Sequence, residues 1–294
     1  MAEGNASEQT FDFKLYRYDL SLPAAAVSLA VFSVLSALHV WRLVRHRAFY
    51  FTPFTIGGFF QVAGYAGRIW SHFDPSAIGG FVIQAILILV APALYAASIY
   101  MILGRLIRVV RAERISIIPL KWMTKIFVVG DVLSFLLQAG GGGVQSAGTL
   151  ELYNVGEKII IAGLFVQIVV FGFFMATTVV FNYRQSKHVS QQRTDVPWQR
   201  YLNILYAVSA IILIRSIFRV VEYLQGNRGF LISHEIFLYI FDALLMAAVM
   251  AIFLIYYVDG LSRAVGGKRG SSRGMLSSSG SDAMFEMEPR PDNA

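Results

Sequence analysis

Cysteine is absent from the 294-residue chain, which excludes disulfides, thiolate catalysis and palmitoyl anchors on cysteine. Charged residues are scarce as well: they make up 15% of the sequence, whereas soluble proteins carry about 25%. By contrast, 56% of the residues are hydrophobic, and the mean hydropathy is +0.59. This balance indicates a membrane protein.

The usual sequence patterns of catalytic sites are missing too. The five histidines are scattered over segment ends and loops and form no His-x-x-x-His pair, so no metal site is predicted. The sequence has no phosphate-binding glycine loop and no Gly-x-Ser-x-Gly element. We therefore predict that the protein is not an enzyme and needs no cofactor.

The hydrophobic residues form seven blocks of about 20 to 24 residues, the length that a helix needs to cross about 30 Å of hydrocarbon. A transmembrane β-barrel would instead show shorter segments with strict alternation. We predict an all-α, polytopic bundle of seven transmembrane helices. The predicted spans are Leu20–Val40, Phe51–Trp70, Gly80–Leu103, Trp122–Gly142, Ile159–Phe181, Leu202–Leu224 and Glu235–Tyr257.

Lysine and arginine are concentrated in alternate connections: three lie in 42–47, five in 105–121, four in 184–200 and five after 258. The N-terminal segment and the other connections contain only Lys14, Arg17, Lys158 and Arg228. The positive-inside rule then places the N-terminus outside and the C-terminus in the cytoplasm. The net charge of +7 therefore reflects topology, and no nucleic-acid partner is predicted.

Three regions follow from this topology. Residues 1–19 are an extracellular polar N-terminus, 20–257 the transmembrane domain, and 258–294 a cytoplasmic tail too poor in apolar residues to fold. Asn5 begins an Asn-Ala-Ser sequon on the predicted outer side, where it is a candidate glycosylation site.

Polar residues within or beside the predicted spans are candidates for a functional site, since an ionised group at the bilayer centre costs about 2.5–3.5 kcal/mol. Arg215, Arg219 and Glu222 share one helical face at i, i+4 and i+7. From the helical rise, most of the charged candidates lie in the outer half of the membrane. The candidates are Arg68, Asp131, Gln138, Glu157, Gln167, Arg215, Arg219, Glu222, Glu235 and Asp242.

Two interpretations of this set remain open. The charged side chains line a cavity that opens outward and binds a ligand, or they pair with one another, Arg219 with Glu222 or Arg215 with Asp242, and only lock the bundle. Buried ion pairs contribute little net stability, which favours the ligand site.

Five long motifs resemble the fungal lipid-translocating exporters, a seven-helix family that includes the aminocholesterol-resistance proteins and the sphingoid long-chain-base exporters of yeast. The resemblance extends over about residues 16–257. The motifs are GYAGR (64–68), LVAPALYAASIYMILGRLIR (89–108), KIFVVGDVLSFLLQAGGGG (125–143), GEKIIIAGLFVQIVVFGFF (156–174) and LIRSIFRVVEYLQGNRGFLISHEIFLYIFDALLM (213–246).

The resemblance implies a multi-pass protein of the plasma membrane or another endomembrane that moves sphingoid long-chain bases or protects against toxic amphiphiles. Its partners would be membrane lipids and an amphiphilic small-molecule substrate. Asp242 or Glu235 would receive the amine of a long-chain base and Gln138 a hydroxyl. One position departs from the family: a glutamate is common three residues before the Gly-Tyr, and here that residue is Gln61.

The alternative function is a seven-helix receptor that senses an amphiphile outside and acts through a cytoplasmic protein partner. The predicted topology suits it, but the chain lacks the Asp/Glu-Arg-Tyr and Asn-Pro-x-x-Tyr elements of familiar receptors. Flux across liposomes distinguishes the two functions.

Overall fold

The computed structural model describes residues 20–74, 78–110, 112, 119–145, 150–188, 198–226, 229–231 and 233–256. Within these ranges the chain forms helices and no strand, which confirms the all-α prediction. The predicted N-terminal segment 1–19, with Asn5, and the tail 258–294 lie outside the described residues. The long helices are α1 Leu22–His46, α2 Thr52–Phe73, α3 Ile78–Val109, α4 Leu120–Gln145, α5 Leu150–His188, α6 Trp198–Leu224 and α7 Glu235–Ile255.

Six of these helices, all except α2, are long and apolar enough to cross a membrane, which confirms a polytopic membrane protein. The 22 residues of α2 give a length of about 33 Å, but Gln61, Arg68 and four glycines make it less apolar. It packs between α1 and α3. The glycines allow the close approach of α3: a Cβ added at Gly64 would lie 2.6 Å from Cγ1 of Ile88.

Several helices extend beyond the predicted spans. The largest difference is in α5, which has 39 residues where the sequence predicted 23 at Ile159–Phe181. Its length of about 58 Å exceeds the hydrocarbon thickness of about 30 Å. The apolar run marks only the part of a helix that suits lipid, whereas the helix itself continues through polar residues such as Glu151 and Glu157.

Four consecutive glycines, Gly140–Gly143, lie near the end of α4. The helix continues to Gln145 and packs against α5. At this contact a Cβ on Gly141 would lie 2.8 Å from the carbonyl oxygen of Gly156. Gly141 therefore allows close packing of two helices, as small residues commonly do in membranes, whereas no atom lies within 4 Å of a Cβ added at Gly140 or Gly142.

The starts of α1 and α7 and the end of α2 meet at one end of the bundle. The backbone N–H of Ser21 donates to Oε2 of Glu235 at 2.9 Å, and Nδ1 of His72 donates to the Leu20 carbonyl at 2.6 Å. Ser21 also caps α1, where its hydroxyl accepts from the N–H of Ala24. We call this the Glu235 end of the bundle.

Candidate functional site

A network of four charged residues joins α6 to α7. Nε of Arg215 lies 2.5 Å from Oδ1 of Asp242, and the guanidinium of Arg219 contacts Oδ2 of the same carboxylate. Arg219 also donates to Glu222 at 2.9 Å. We call Arg215, Arg219, Glu222 and Asp242 the Asp242 network. It contains two positive and two negative groups, so it is balanced in charge.

The Asp242 network is closed in this structure. Arg215 and Asp242 are each 1% exposed, and Arg215 has a further contact with the Ile88 carbonyl at 3.4 Å. Both ion pairs considered from the sequence, Arg215 with Asp242 and Arg219 with Glu222, are present. Both arginines contact the Asp242 carboxylate, and the ligand site expected from the sequence stays a prediction.

Asp242 lies in an irregular part of α7. Residues Tyr239–Leu244 form a π-helical turn between two α-helical stretches. Such turns are rare and occur frequently at functional sites. This segment contains neither proline nor glycine, so the sequence gives no warning of the turn. Asp242 lies within this turn and contacts both arginines of α6.

A second network is found at the Glu235 end. Nη2 of Arg68 lies 2.7 Å from Oε1 of Glu235, and Nε of Arg68 donates to the hydroxyl of Tyr239 at 3.0 Å. Tyr239 in turn donates to Glu235 at 3.2 Å. We call Arg68, Glu235 and Tyr239 the Glu235 network. Tyr239 lies three residues before Asp242, so α7 contributes to both networks within two turns.

Two tyrosines of this region were not predicted as site residues. The ring of Tyr65 stacks on Tyr239 with centroids 6.3 Å apart and on Phe32 at 5.3 Å. Tyr65 belongs to the GYAGR motif three residues before Arg68, a spacing that puts both on one face of α2. That spacing is the signal that would have identified Tyr65.

The remaining candidates do not join either network. Asp131 accepts from the hydroxyl of Tyr100 at 2.9 Å across α3 and α4. Gln138 donates to Gln167 at 3.1 Å across α4 and α5. Glu157 lies on α5 facing Gly226, where an added Cβ would be 3.5 Å from its Oε1. Six of the ten candidates thus meet at α2, α6 and α7, and four lie elsewhere along α4 and α5.

Among the described residues, no group of three His, Asp or Glu side chains converges in a way that suits a metal ion. The charged groups of the two networks instead face each other as arginine–carboxylate pairs.

Comparison of the sequence with known proteins assigns the chain to a family. A profile of the family described as RTA1 like protein matches residues 54–263, which include both networks. The chain belongs to this family. No solved structure matches the chain.

Three relatives from the yeast Saccharomyces cerevisiae illustrate the range of the family. Protoporphyrin uptake protein 1 is 43% identical over 209 residues, which cover 70% of this chain and 68% of the relative. Protein RTA1 is 37% identical over 271 residues, covering 83% and 85%. Sphingoid long-chain base transporter RSB1 is 26% identical over 265 residues, covering 78% and 69%.

The relatives whose names state an activity are thus named for uptake or transport, not for catalysis. Together with the membrane-crossing helices, these matches identify a multi-pass membrane protein of a fungal family related to transport and resistance. They also bear out the resemblance first recognised from the five sequence motifs.

Proposed function

We propose that this protein translocates amphiphiles with a charged head, such as sphingoid long-chain bases, across the plasma membrane and so protects the cell from toxic amphiphiles. The observation that carries the proposal is the Asp242 carboxylate, which is buried inside the apolar bundle and shared by two arginines. A bundle that required only stability would be as well served by apolar residues.

Exchange of ionic partners offers a route for the ligand head. The amine of a long-chain base replaces Arg215 at Oδ1 of Asp242, while Arg219 keeps its contacts with Asp242 and Glu222. The carboxylate therefore never loses all of its positive partners. The apolar tail follows along lipid-facing side chains, for example Ile214, Ile217 and Val221 on the exposed side of α6.

The charge balance of the network also suits an anionic head. A ligand carboxylate is able to replace Asp242 or Glu222 beside the arginines, which agrees with a relative named for protoporphyrin uptake. Protoporphyrin has carboxylates and a sphingoid long-chain base has an amine, so the two relatives named for these ligands differ in the charge of the ligand head. Both ligands are amphiphiles with an ionised head. For this reason we test one ligand of each sign.

The test is flux of a fluorescent long-chain base, and separately of protoporphyrin, in liposomes that contain the purified full-length protein. The double variant Arg215→Gln with Asp242→Asn removes one charge of each sign and preserves the balance with Arg219 and Glu222. Thr178→Val is the matched control, because Thr178 is buried in α5 and its hydroxyl donates to the carbonyl of Phe174 in the same helix.

We expect the wild type and the control to transport at least one ligand, and the double variant to lose most of that flux. Saturable binding without flux in the wild type would instead support the receptor-like sensor with a cytoplasmic partner. If the wild type shows neither binding nor flux, the proposed function is wrong.

A further inference from the structure

Buried polar atoms without hydrogen-bond partners lie between α1 and α2. Neither amide atom of Gln61, nor the hydroxyl of Tyr65, nor the hydroxyl of Ser36 has a partner among the described residues. Gln61 is 1% exposed, Ser36 1% and Tyr65 0%. These four atoms are distinct from the charged groups of the Asp242 and Glu235 networks.

Two contacts between α1 and α2 show that these side chains lie close together along the bundle axis. Phe32 stacks on Tyr65 at 5.3 Å, and a Cβ added at Gly58 would lie 2.6 Å from Oγ of Ser36. Gly58, Gln61 and Tyr65 share one face of α2 at i, i+3 and i+7. Gln61 therefore lies between the two contacts, on the face that packs against the Phe32–Ser36 turn of α1.

The same face of α2 also contacts α7. Tyr239 stacks on Tyr65, and Cε of Met250 would lie 2.9 Å from a Cβ at Gly58. Helices α2 and α7 run in opposite directions. Asp242 follows Tyr239 by three residues, so along the bundle axis it lies at the height of the α2 segment that runs from Tyr65 back toward Gln61. The unpartnered atoms thus begin beside Asp242 and extend about two turns away from the Glu235 end.

Several other hydroxyl groups of the bundle find a partner within their own helix. The hydroxyls of Thr177, Thr178 and Ser216 each donate to the carbonyl four residues earlier in their own helix. Ser36 makes no such bond. A buried amide or hydroxyl without a partner costs several kcal/mol in an apolar environment. No described residue supplies a partner for Gln61, Tyr65 and Ser36, which leaves a bound ligand or water as a source.

We propose that Gln61, Tyr65 and Ser36 form a neutral subsite that binds hydroxyl groups adjacent to the charged head of an amphiphile. This inference rests on the proposed function and names the feature of the substrate that the site selects. The amide of Gln61 donates and accepts, and so do the two hydroxyls. Asp242 then takes the amine, and the subsite takes the hydroxyls of an amino alcohol. The hydroxyl comes either from the ligand or from water, and the test separates the two.

The test compares two amines of equal chain length, a sphingoid base with its hydroxyls and octadecylamine without them. Dissociation constants are measured on purified full-length protein, and flux is measured in liposomes. Gln61→Met replaces the amide by an apolar side chain of similar length. Gln185→Met is the matched control, because Gln185 is also buried with an unpartnered carbonyl oxygen but lies on α5, near its far end.

We expect the wild type to prefer the hydroxylated amine and Gln61→Met to lose about five- to ten-fold of that preference, the effect of one hydrogen bond. Octadecylamine binding should remain unchanged. Gln61→Met should also melt no lower than the wild type, because it removes an unsatisfied amide. If it does not fold, Ser36→Ala provides the same comparison with a smaller change.

Three results would overturn the subsite. The first is a wild type that binds both amines equally well, and the second is a Gln61→Met variant that changes the affinity for both amines equally. The third is a Gln61→Met variant that changes neither affinity, which would leave only water at Gln61. A wild type that prefers the hydroxylated amine in binding but transports neither amine would support the subsite while it refutes transport. The two proposals are thus tested separately.

Discussion

Asp242 shows how much of a buried ion-pair network can be predicted from the sequence. The sequence predicted that Arg215, Arg219 and Glu222 share a face of α6, because spacing within a helix follows from its period. It also named Arg215 with Asp242 and Arg219 with Glu222 as pairs, and both are present, but it did not predict the contact of Arg219 with Asp242. Both arginines contact one carboxylate that lies in the π turn Tyr239–Leu244 of α7. Neither the packing of α7 against α6 nor this turn is encoded in a local sequence pattern.

Asp242→Asn should destabilise the protein strongly, by about 3–5 kcal/mol, because the change leaves a buried arginine pair with only Glu222 to balance it. The double variant with Arg215→Gln should recover part of this loss, since one positive charge is removed with the negative one. Thermal unfolding in detergent, followed by circular dichroism, measures both. A double variant that melts below Asp242→Asn would contradict this account of charge balance.

Helices α4 and α5 show which features of a helix can be predicted from its sequence. The apolar runs located both helices, but the glycine run of α4 did not show which of its residues contacts α5. Glycine lowers helix propensity by about 1 kcal/mol, but packing of α5 against Gly141 compensates for it. The sequence cannot distinguish a glycine that a neighbouring helix requires from one that faces open space.

This distinction predicts opposite effects of two alanine substitutions. Gly156→Ala should destabilise the protein by about 1–3 kcal/mol, because the new Cβ would lie 2.5 Å from the carbonyl oxygen of Gly141 and 2.6 Å from the backbone nitrogen of Gln145. Gly142→Ala should stabilise it by about 0.5–1 kcal/mol, since no atom lies within 4 Å of its added Cβ.

The melting temperatures of these two glycine variants, measured beside the wild type under the same detergent conditions, provide the check. Equal effects of the two substitutions would show that helix propensity, and not the approach of α4 to α5, governs the stability of this pair.

The orientation of the whole molecule in the membrane is a prediction from the distribution of lysine and arginine. The bundle itself establishes a relative arrangement: the start of α1, the end of α2 and the start of α7 share the Glu235 end. If the N-terminus is outside, the Glu235 network lies at the outer surface and the Asp242 network in the outer half of the bilayer. A ligand from the outer leaflet would then meet Glu235 before Asp242.

The absence of native cysteine makes this orientation directly testable with single introduced cysteines. Phe73→Cys lies at the end of α2, at the Glu235 end, where the native side chain is 72% exposed. Ser186→Cys is exposed near the far end of α5, in the predicted cytoplasmic region. A membrane-impermeant maleimide should label Phe73→Cys in intact cells and Ser186→Cys only after permeabilisation, and the unmodified chain provides the background.

The reversed labelling pattern would place the Glu235 end in the cytoplasm. Both networks would then lie in the inner half of the bilayer, because their distance from the Glu235 end is set by α2, α6 and α7 and not by orientation. A carrier would still be able to bind the ligand head at Asp242, but the head would enter from the inner leaflet. A sensor of extracellular amphiphiles would lose its binding site on the outer side, so this outcome would exclude the receptor-like alternative and leave transport.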